Sequence, residues 1–154
     1  MKKILIAVDD TKGSKAIFEK CIHVCKCMNP EVIILLYVQK FEGRSLMDEM
    51  IGDAELSTLK DVLEGTEFKE ALDRKADVIL DHYKKSLEET TPVPPIKTLV
   101  KTGHPAEEIL KAAKEEKADM IIIGSRGKRV SHLFMGSVSR EVANNAEVPV
   151  LVIR

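Results

Sequence analysis

Met120-Ile121-Ile122-Ile123-Gly124-Ser125-Arg126-Gly127, followed after eight residues by Gly136-Ser137-Val138, is the stretch on which the reading of this chain turns. Met120 to Ile123 form a short apolar run of the kind buried on both faces of a parallel sheet. Gly124 and Gly127, directly after it, let backbone N–H groups approach an anion without obstruction by a Cβ. Gly136 and Ser137 then open a helix that continues through Val138, Val142 and Ala146. The free N–H groups and positive dipole end of such a helix favour a bound phosphate, and the Ser137 hydroxyl adds a further donor. The competing reading is a glycine-rich turn that only reverses the chain.

Outward from this stretch, strand-like runs recur at 4–8, 32–38, 96–100, 120–123 and 148–153, with helical periodicity in the intervals. Ile17, Cys21, Val24 and Met28 lie three or four apart, a helical stripe that Asn29-Pro30 stops. Phe68, Leu72, Ala76, Ile79, Tyr83 and Leu87 repeat the spacing, with charged residues on the opposite side, until Pro92, Pro94 and Pro95 end the helix. Ile96 to Lys101 alternates apolar with polar, as a half-exposed edge strand does. Gly103-His104-Pro105 marks a turn, with Pro105 at a first helical position, Glu107 and Glu108 in the first turn, and Ile109, Leu110 and Ala113 as the buried stripe. Strands separated by amphipathic helices imply right-handed crossovers, a parallel sheet and helices on both faces: an α/β doubly wound fold. Residues 39–66 read as an excursion, either a cover over a pocket or an interaction surface.

With 154 residues and 44% hydrophobic content, the chain suits one domain with its own core. Lys and Arg number 24 against 25 Asp and Glu, so no net field draws it to nucleic acid or an anionic membrane. Two Tyr, four Phe and no Trp leave few rings for stacking on single-stranded bases. Ile4 to Val8 is too short for a signal core or a membrane span, and the expected location is the cytoplasm. Three cysteines, Cys21, Cys25 and Cys27, do not form a secreted disulfide framework. Cys21 and Cys25 share a helix face while Cys27 and His23 point elsewhere, so buried thiols are favoured over a metal site.

Ile4 to Asp9, Leu35-Leu36-Tyr37-Val38, Gly103 to Ile109, Ala118 to Gly127, Gly136 to Ser139 and Val148 to Ile153 together resemble the universal stress protein family, over nearly the whole chain and in the same order. The resemblance implies a five-stranded parallel sheet in order 3-2-1-4-5 and, in the nucleotide-binding branch, ATP beside the first and fourth strands. Strand order reverses there, where an α/β sheet opens a crevice. The implied nucleotide-binding set is Ala7, Val8, Asp9, Val38, Ile123, Gly124, Arg126, Gly127, Gly136, Ser137 and Val138. Asp9 and Val38 would flank the adenine, Ala7 would line the pocket, and Ile123 and Gly124 would border the ribose. Gly127, Gly136, Ser137 and Val138 would contact the phosphates, with Mg2+ or Mn2+ held through the phosphate oxygens. The segment Lys128 to Met135 is one residue shorter than the family's usual spacing, which either trims a surface turn or rotates the Gly136 amide. Lys128 and Arg129 either attract phosphate or are solvated charges. The resemblance also implies a homodimer paired through the C-terminal strand, whose exposed edge invites such pairing.

Asp9 either meets a ligand or starts the turn into the first helix, and Asp10 is expected to face solvent. His104 reads as turn chemistry before Pro105, and His132 has no nucleophile nearby in sequence. No G-x-x-x-x-G-K-[ST] loop, G-x-S-x-G elbow or H-E-x-x-H helix occurs. A site that grips phosphates with amides but positions no base holds ATP longer than it cleaves it, so at most slow hydrolysis is expected. Three readings therefore stand: an ATP-binding regulatory protein, a dimeric interaction module without nucleotide, and a slow ATPase.

Overall fold

All five apolar runs become strands, and their residues divide between two faces because successive side chains of a strand point to opposite sides. The computed structural model describes residues 2–40, 67–89, 92–125 and 135–154. In chain order these form β1 (Lys3–Val8), α1 (Lys12–Met28), β2 (Val32–Gln39), α2 (Glu67–Glu88), β3 (Ile96–Thr102), α3 (Pro105–Glu115), β4 (Met120–Gly124), α4 (Ser137–Asn145) and β5 (Val150–Ile153). The sheet runs β3-β2-β1-β4-β5 and every neighbouring pair is parallel, as expected.

One face carries Ile4, Ile6 and Val8 of β1 with Ile33, Leu35 and Tyr37 of β2, packed under Phe18, Cys21 and Cys25 of α1 and Leu80 and Tyr83 of α2. The other carries Leu5, Ile34, Leu36, Ile121 and Ile123 under Ala106, Ile109 and Ala113 of α3 and Val142 of α4. The two expected helical stripes are thus the core faces of α1 and α2, although Leu72 is half-buried outside the core cluster and the side chain of Phe68 lies outside the described residues.

Local chemistry sets the helix ends. Thr11 caps α1 by accepting from Ser14 N, and Asn29 ends it in the left-handed region at φ 45°. Pro105 opens α3, followed by Glu107 and Glu108 where the dipole favours acid. The end of α3 is a Schellman turn: Ala118 N donates to Ala113 O and Lys117 N to Lys114 O. Lys117 sits there at φ 52°, a conformation that costs a residue with a Cβ about 1–2 kcal/mol.

Several strand boundaries shift by one or two residues, β1 starting at Lys3, β3 ending at Thr102 and β4 at Gly124, and two further shifts have a clear physical reason. The last strand starts at Val150 rather than Val148, because Pro149 has no N–H to give the ladder and offers only its carbonyl, to Ile121 N. Gln39, taken above as the first residue of the excursion, is the last residue of β2 and only 1% exposed. Residues 41–66 of that excursion lie outside the described residues. Among the described residues no helix is long and apolar enough to cross a membrane.

Cys21 and Cys25 are core side chains, and burial pushes their thiols up to about 12 and about 11 respectively, while Cys27 is exposed. Thiol titration of the native protein near pH 8 should therefore register Cys27 rapidly and the other two only after denaturation. Three fast thiols in the folded protein would contradict this packing.

Asp119 ties the start of the chain to the approach to β4: its Oδ2 accepts from Lys2 N at 2.7 Å and Lys3 N at 2.8 Å. The Lys3 amide, and then that of Lys2, hold this carboxyl below its ordinary value. A carboxyl whose pKa is lower folded than unfolded stabilises above the unfolded value, near 3.9, and loses that contribution as pH falls through the folded value. Asp119→Asn should accordingly destabilise the protein at pH 7, with the gap from the parent narrowing in denaturant titrations below about pH 4. A gap independent of pH would assign the effect to something other than the charge.

Candidate functional site

The carboxyl ends of β1 and β4 are adjacent, and their loops leave toward opposite faces: β1 leads into α1 and β4 toward α4. This is the switch point of the sheet, where a crevice is expected. Ala7 pairs with Ile123 across the two strands, and Tyr37 pairs with Val8, which brings Val38 beside Asp9. Ala7, Val38 and Ile123 lie on the same face, together with Val138 of α4. The exposure of that face rises toward the carboxyl edge: Leu5 and Leu36 are wholly buried, whereas Ala7 and Val38 are only half-buried.

Val8 belongs elsewhere. Alternation sends its side chain to the opposite face, into the core with α1 and α2, so it offers the crevice only backbone. Asp9 is half-buried just past β1, and its Oδ1 accepts from Thr11 N at 2.8 Å and Thr11 Oγ1 at 2.6 Å. That is the turn role considered for it, which occupies one carboxylate oxygen. Ser14 Oγ accepts from Asp9 N and Tyr83 Oη donates to Asp9 O at 2.8 Å, so the backbone here is pinned from both α1 and α2. Burial raises the Tyr83 phenol above its ordinary value, keeping it a donor. Asp10 is not simply solvent-facing: it is half-buried and paired with Lys75 Nζ at 2.9 Å.

On the other side of the crevice, Gly124 ends β4 opposite Ile153. Ser125 follows, only 1% exposed, its N–H donating to Ile153 O. Its carbonyl accepts from Gly136 N at 2.7 Å and from Ser139 Oγ at 3.3 Å. The Gly136 amide assigned above to a phosphate is therefore engaged within the protein, and Gly136 is extended at φ −61°, a backbone any residue adopts. The N–H groups of Ser137, Val138 and Ser139, in the first turn of α4, precede the first residue that can bond back along the helix, Arg140 to Gly136 O. Ser137 is exposed and Val138 half-buried. Arg126, Gly127, Lys128, Arg129 and His132 lie outside the described residues.

Ser125 Oγ is the one buried side-chain oxygen or nitrogen among the described residues without a hydrogen-bond partner. Sequence reading passed over it, although a serine one glycine past a four-residue apolar run was the signal available. Gln39 was also missed. It is buried at the carboxyl end of β2, where Nε2 donates to Asp73 Oδ1 at 2.9 Å and Oε1 accepts from Thr102 Oγ1 at 2.9 Å, closing the edge on the β2–β3 side. His104 precedes α3 without a side-chain cap bond, 3.9 Å from Glu141. Among the described residues no group of three or more His, Cys, Asp and Glu is placed to hold a metal ion.

A five-stranded parallel sheet in this order, with helices on both faces and its switch point between β1 and β4, defines the doubly wound α/β class. The family model described as "Universal stress protein family" matches residues 1–154, and the chain belongs to that family. Universal stress protein MJ0577 of Methanocaldococcus jannaschii is 32% identical over 157 residues, covering 99% of this chain and 94% of the relative. A solved structure of MJ0577 superposes with a TM-score of 0.74 at 29% identity, over 99% of this chain and 94% of its own. A universal stress protein family protein from Arabidopsis thaliana with AMP bound gives 0.64 at 22% identity, over 99% and 91% of the two chains. The protein from Archaeoglobus fulgidus in complex with dAMP gives 0.55 at 19%, over 100% and 98%. At these last two identities the likeness is one of fold, and adenine-nucleotide binding is a property of those proteins.

An unpaired hydroxyl buried at the end of β4 destabilises the protein without ligand, by about 1–3 kcal/mol of lost hydration. Ser125→Ala should leave stability to urea unchanged or raise it by up to about 1 kcal/mol, since the backbone bonds of residue 125 survive. A loss beyond about 1 kcal/mol would mean that the hydroxyl is bonded in solution.

Proposed function

We propose that this chain is a cytoplasmic regulatory protein of the stress-response class that binds an adenine nucleotide, ATP first, in the crevice between β1 and β4. It acts as one domain over residues 1–154 and as a homodimer through the edge of β5. The observation that carries the reading is the half-buried apolar shelf of Ala7 and Val38, beside Ile123 and facing the first turn of α4. A flat apolar base fits the shelf, with Asp9 Oδ2 left for a polar edge and Gly124 close to the sugar. The amides of Ser137 and Val138, the Ser137 hydroxyl and the helix dipole suit phosphate oxygens. Arg126 and Gly127 complete the proposed set. The donors at this rim are N–H and O–H groups, which fit an anion rather than a cation. Mg2+ or Mn2+ would therefore be held by the phosphates, neutralising their charge, with no protein carboxylate required. AMP and dAMP in family members of the same fold support the ligand class.

Calorimetric titration should give affinities in the order ATP with Mg2+, AMP, adenosine. Ser137→Asp separates binding from folding: a carboxylate in the first turn favours the helix by about 0.3–1 kcal/mol yet repels phosphate. It should keep or raise the Tm and weaken ATP by about tenfold or more, ~1.4 kcal/mol, while leaving adenosine unchanged. Equal affinity for adenosine and ATP, or ATP binding indifferent to Ser137→Asp, would reject the phosphate assignment. Absence of saturable binding would leave the dimeric interaction module as the function.

A further inference from the structure

At the opposite end of the sheet, between α3 and α4, a cavity of about 450 Å³ opens under the approaches to β4 and β5. This volume falls in the range of small-molecule sites, ~300–1,000 Å³. Leu110, Ala113, Ala118, Ile121, Ala146 and Val148 line it, a largely apolar interior with Asn145 as its one uncharged polar side chain. Its rim is cationic: Lys111, Lys114 and Lys117 stand around it against the single acid Glu147. Lys114 approaches Glu147 only to 3.6 Å, with both side chains largely exposed. Lys111 and Lys117 make no ion pair among the described residues, and the neighbouring Glu115 and Glu116 are held by Lys101 and Lys97 at 2.7 Å. Lys117 is also kept in the left-handed conformation at a turn where glycine is the unstrained choice.

We propose that this cavity is a second ligand site, distinct from the crevice, for a small amphiphile with an apolar tail and a single carboxylate, of the medium-chain fatty acid class. The tail occupies the interior between α3 and α4, and the carboxylate meets Lys111 and Lys117 at the rim. Asn145, the one uncharged polar side chain of the lining, already donates to Glu141 O, so most polar groups of a sugar or free nucleotide would go unpaired here. The cationic rim selects an acid over an amine or alcohol of equal length.

The test is titration of isotope-labelled full-length protein with octanoate, decanoate, decanol and decylamine, read from the amide shifts of Ile121, Ala146 and Val148. Decanoate should saturate these amides, bind roughly tenfold or more tighter than octanoate at about fourfold per methylene, and exceed decanol and decylamine. Lys111→Glu combined with Lys117→Glu, both at the surface, should weaken decanoate at least several-fold and favour decylamine instead. ATP titration of the same variant, read at Ser137, should match the parent, so that failure of this site and failure of the crevice are distinguishable. Shifts that do not saturate, that spread beyond the groove, that ignore tail length, or that treat acid and amine alike would overturn the proposal.

Discussion

The handedness of strand–helix–strand connections governs the rest of this molecule. A right-handed crossover places α1 and α2 on one face as the chain steps from β1 outward to β2 and β3. The next step runs back past β1 to β4, and the same handedness forces α3 and then α4 onto the other face. The loops after β1 and β4 therefore diverge, leaving a gap at neighbouring carboxyl ends before any side chain is considered. Side-chain identity decides only what the gap accepts. At Ala7 a methyl group stands where Leu5, two residues earlier on the same face, fills its space completely.

Rigidity at that edge comes from satisfying polar groups on both sides of the gap. The turn after β1 uses Asp9, Thr11, Ser14 and the Tyr83 hydroxyl to tie its backbone to two helices. The turn after β4 gives the Ser125 carbonyl two donors, Gly136 N and Ser139 Oγ. With Gly136 spent in this way, α4 is anchored by its N-cap, and its next amides are held in place with no acceptor among the described residues. Donors fixed before a ligand arrives need little further ordering when it binds, which is the physical advantage of placing an anion site at a helix start.

Much of this was legible in the sequence because burial imposes a period. The stripes of α1 and α2 and the apolar runs of the strands follow from spacings of three to four and of two, and helices alternating with strands imply a parallel sheet, whereas the strand order came from the family resemblance. Ala7, Val38, Ile123 and Gly124 were named through the resemblance, and the strand register sets them toward the carboxyl ends of β1, β2 and β4. What escaped depended on partners distant in sequence. Nothing near Gly136 indicates that its amide meets Ser125, or near Asp10 that Lys75 reaches it. Val8 was grouped with its neighbours because the resemblance names a stretch of strand, whereas alternation divides that stretch between two cores. Gln39 looked like the start of a loop because a polar residue after an apolar run reads as solvent-facing, yet Asp73 and Thr102 satisfy it in the interior.

Helix α4 joins the two ends of the sheet. Its nine residues span about 13 Å, from the amides at the crevice to Asn145 beside the lower cavity, and Val142 at its centre is wholly buried. Its dipole presents a positive end upward and a negative end downward, so an anion at the lower end needs cations from elsewhere. The lysines at the end of α3 are partly explained by that helix's own dipole, which favours Lys114 in the last turn. That explanation does not extend to Lys117, beyond the helix and in a conformation costly for any residue with a Cβ. A glycine there would keep the Schellman turn and relieve the backbone. A lysine instead places an ammonium group at the rim of the apolar cavity, where the proposed carboxylate would meet it.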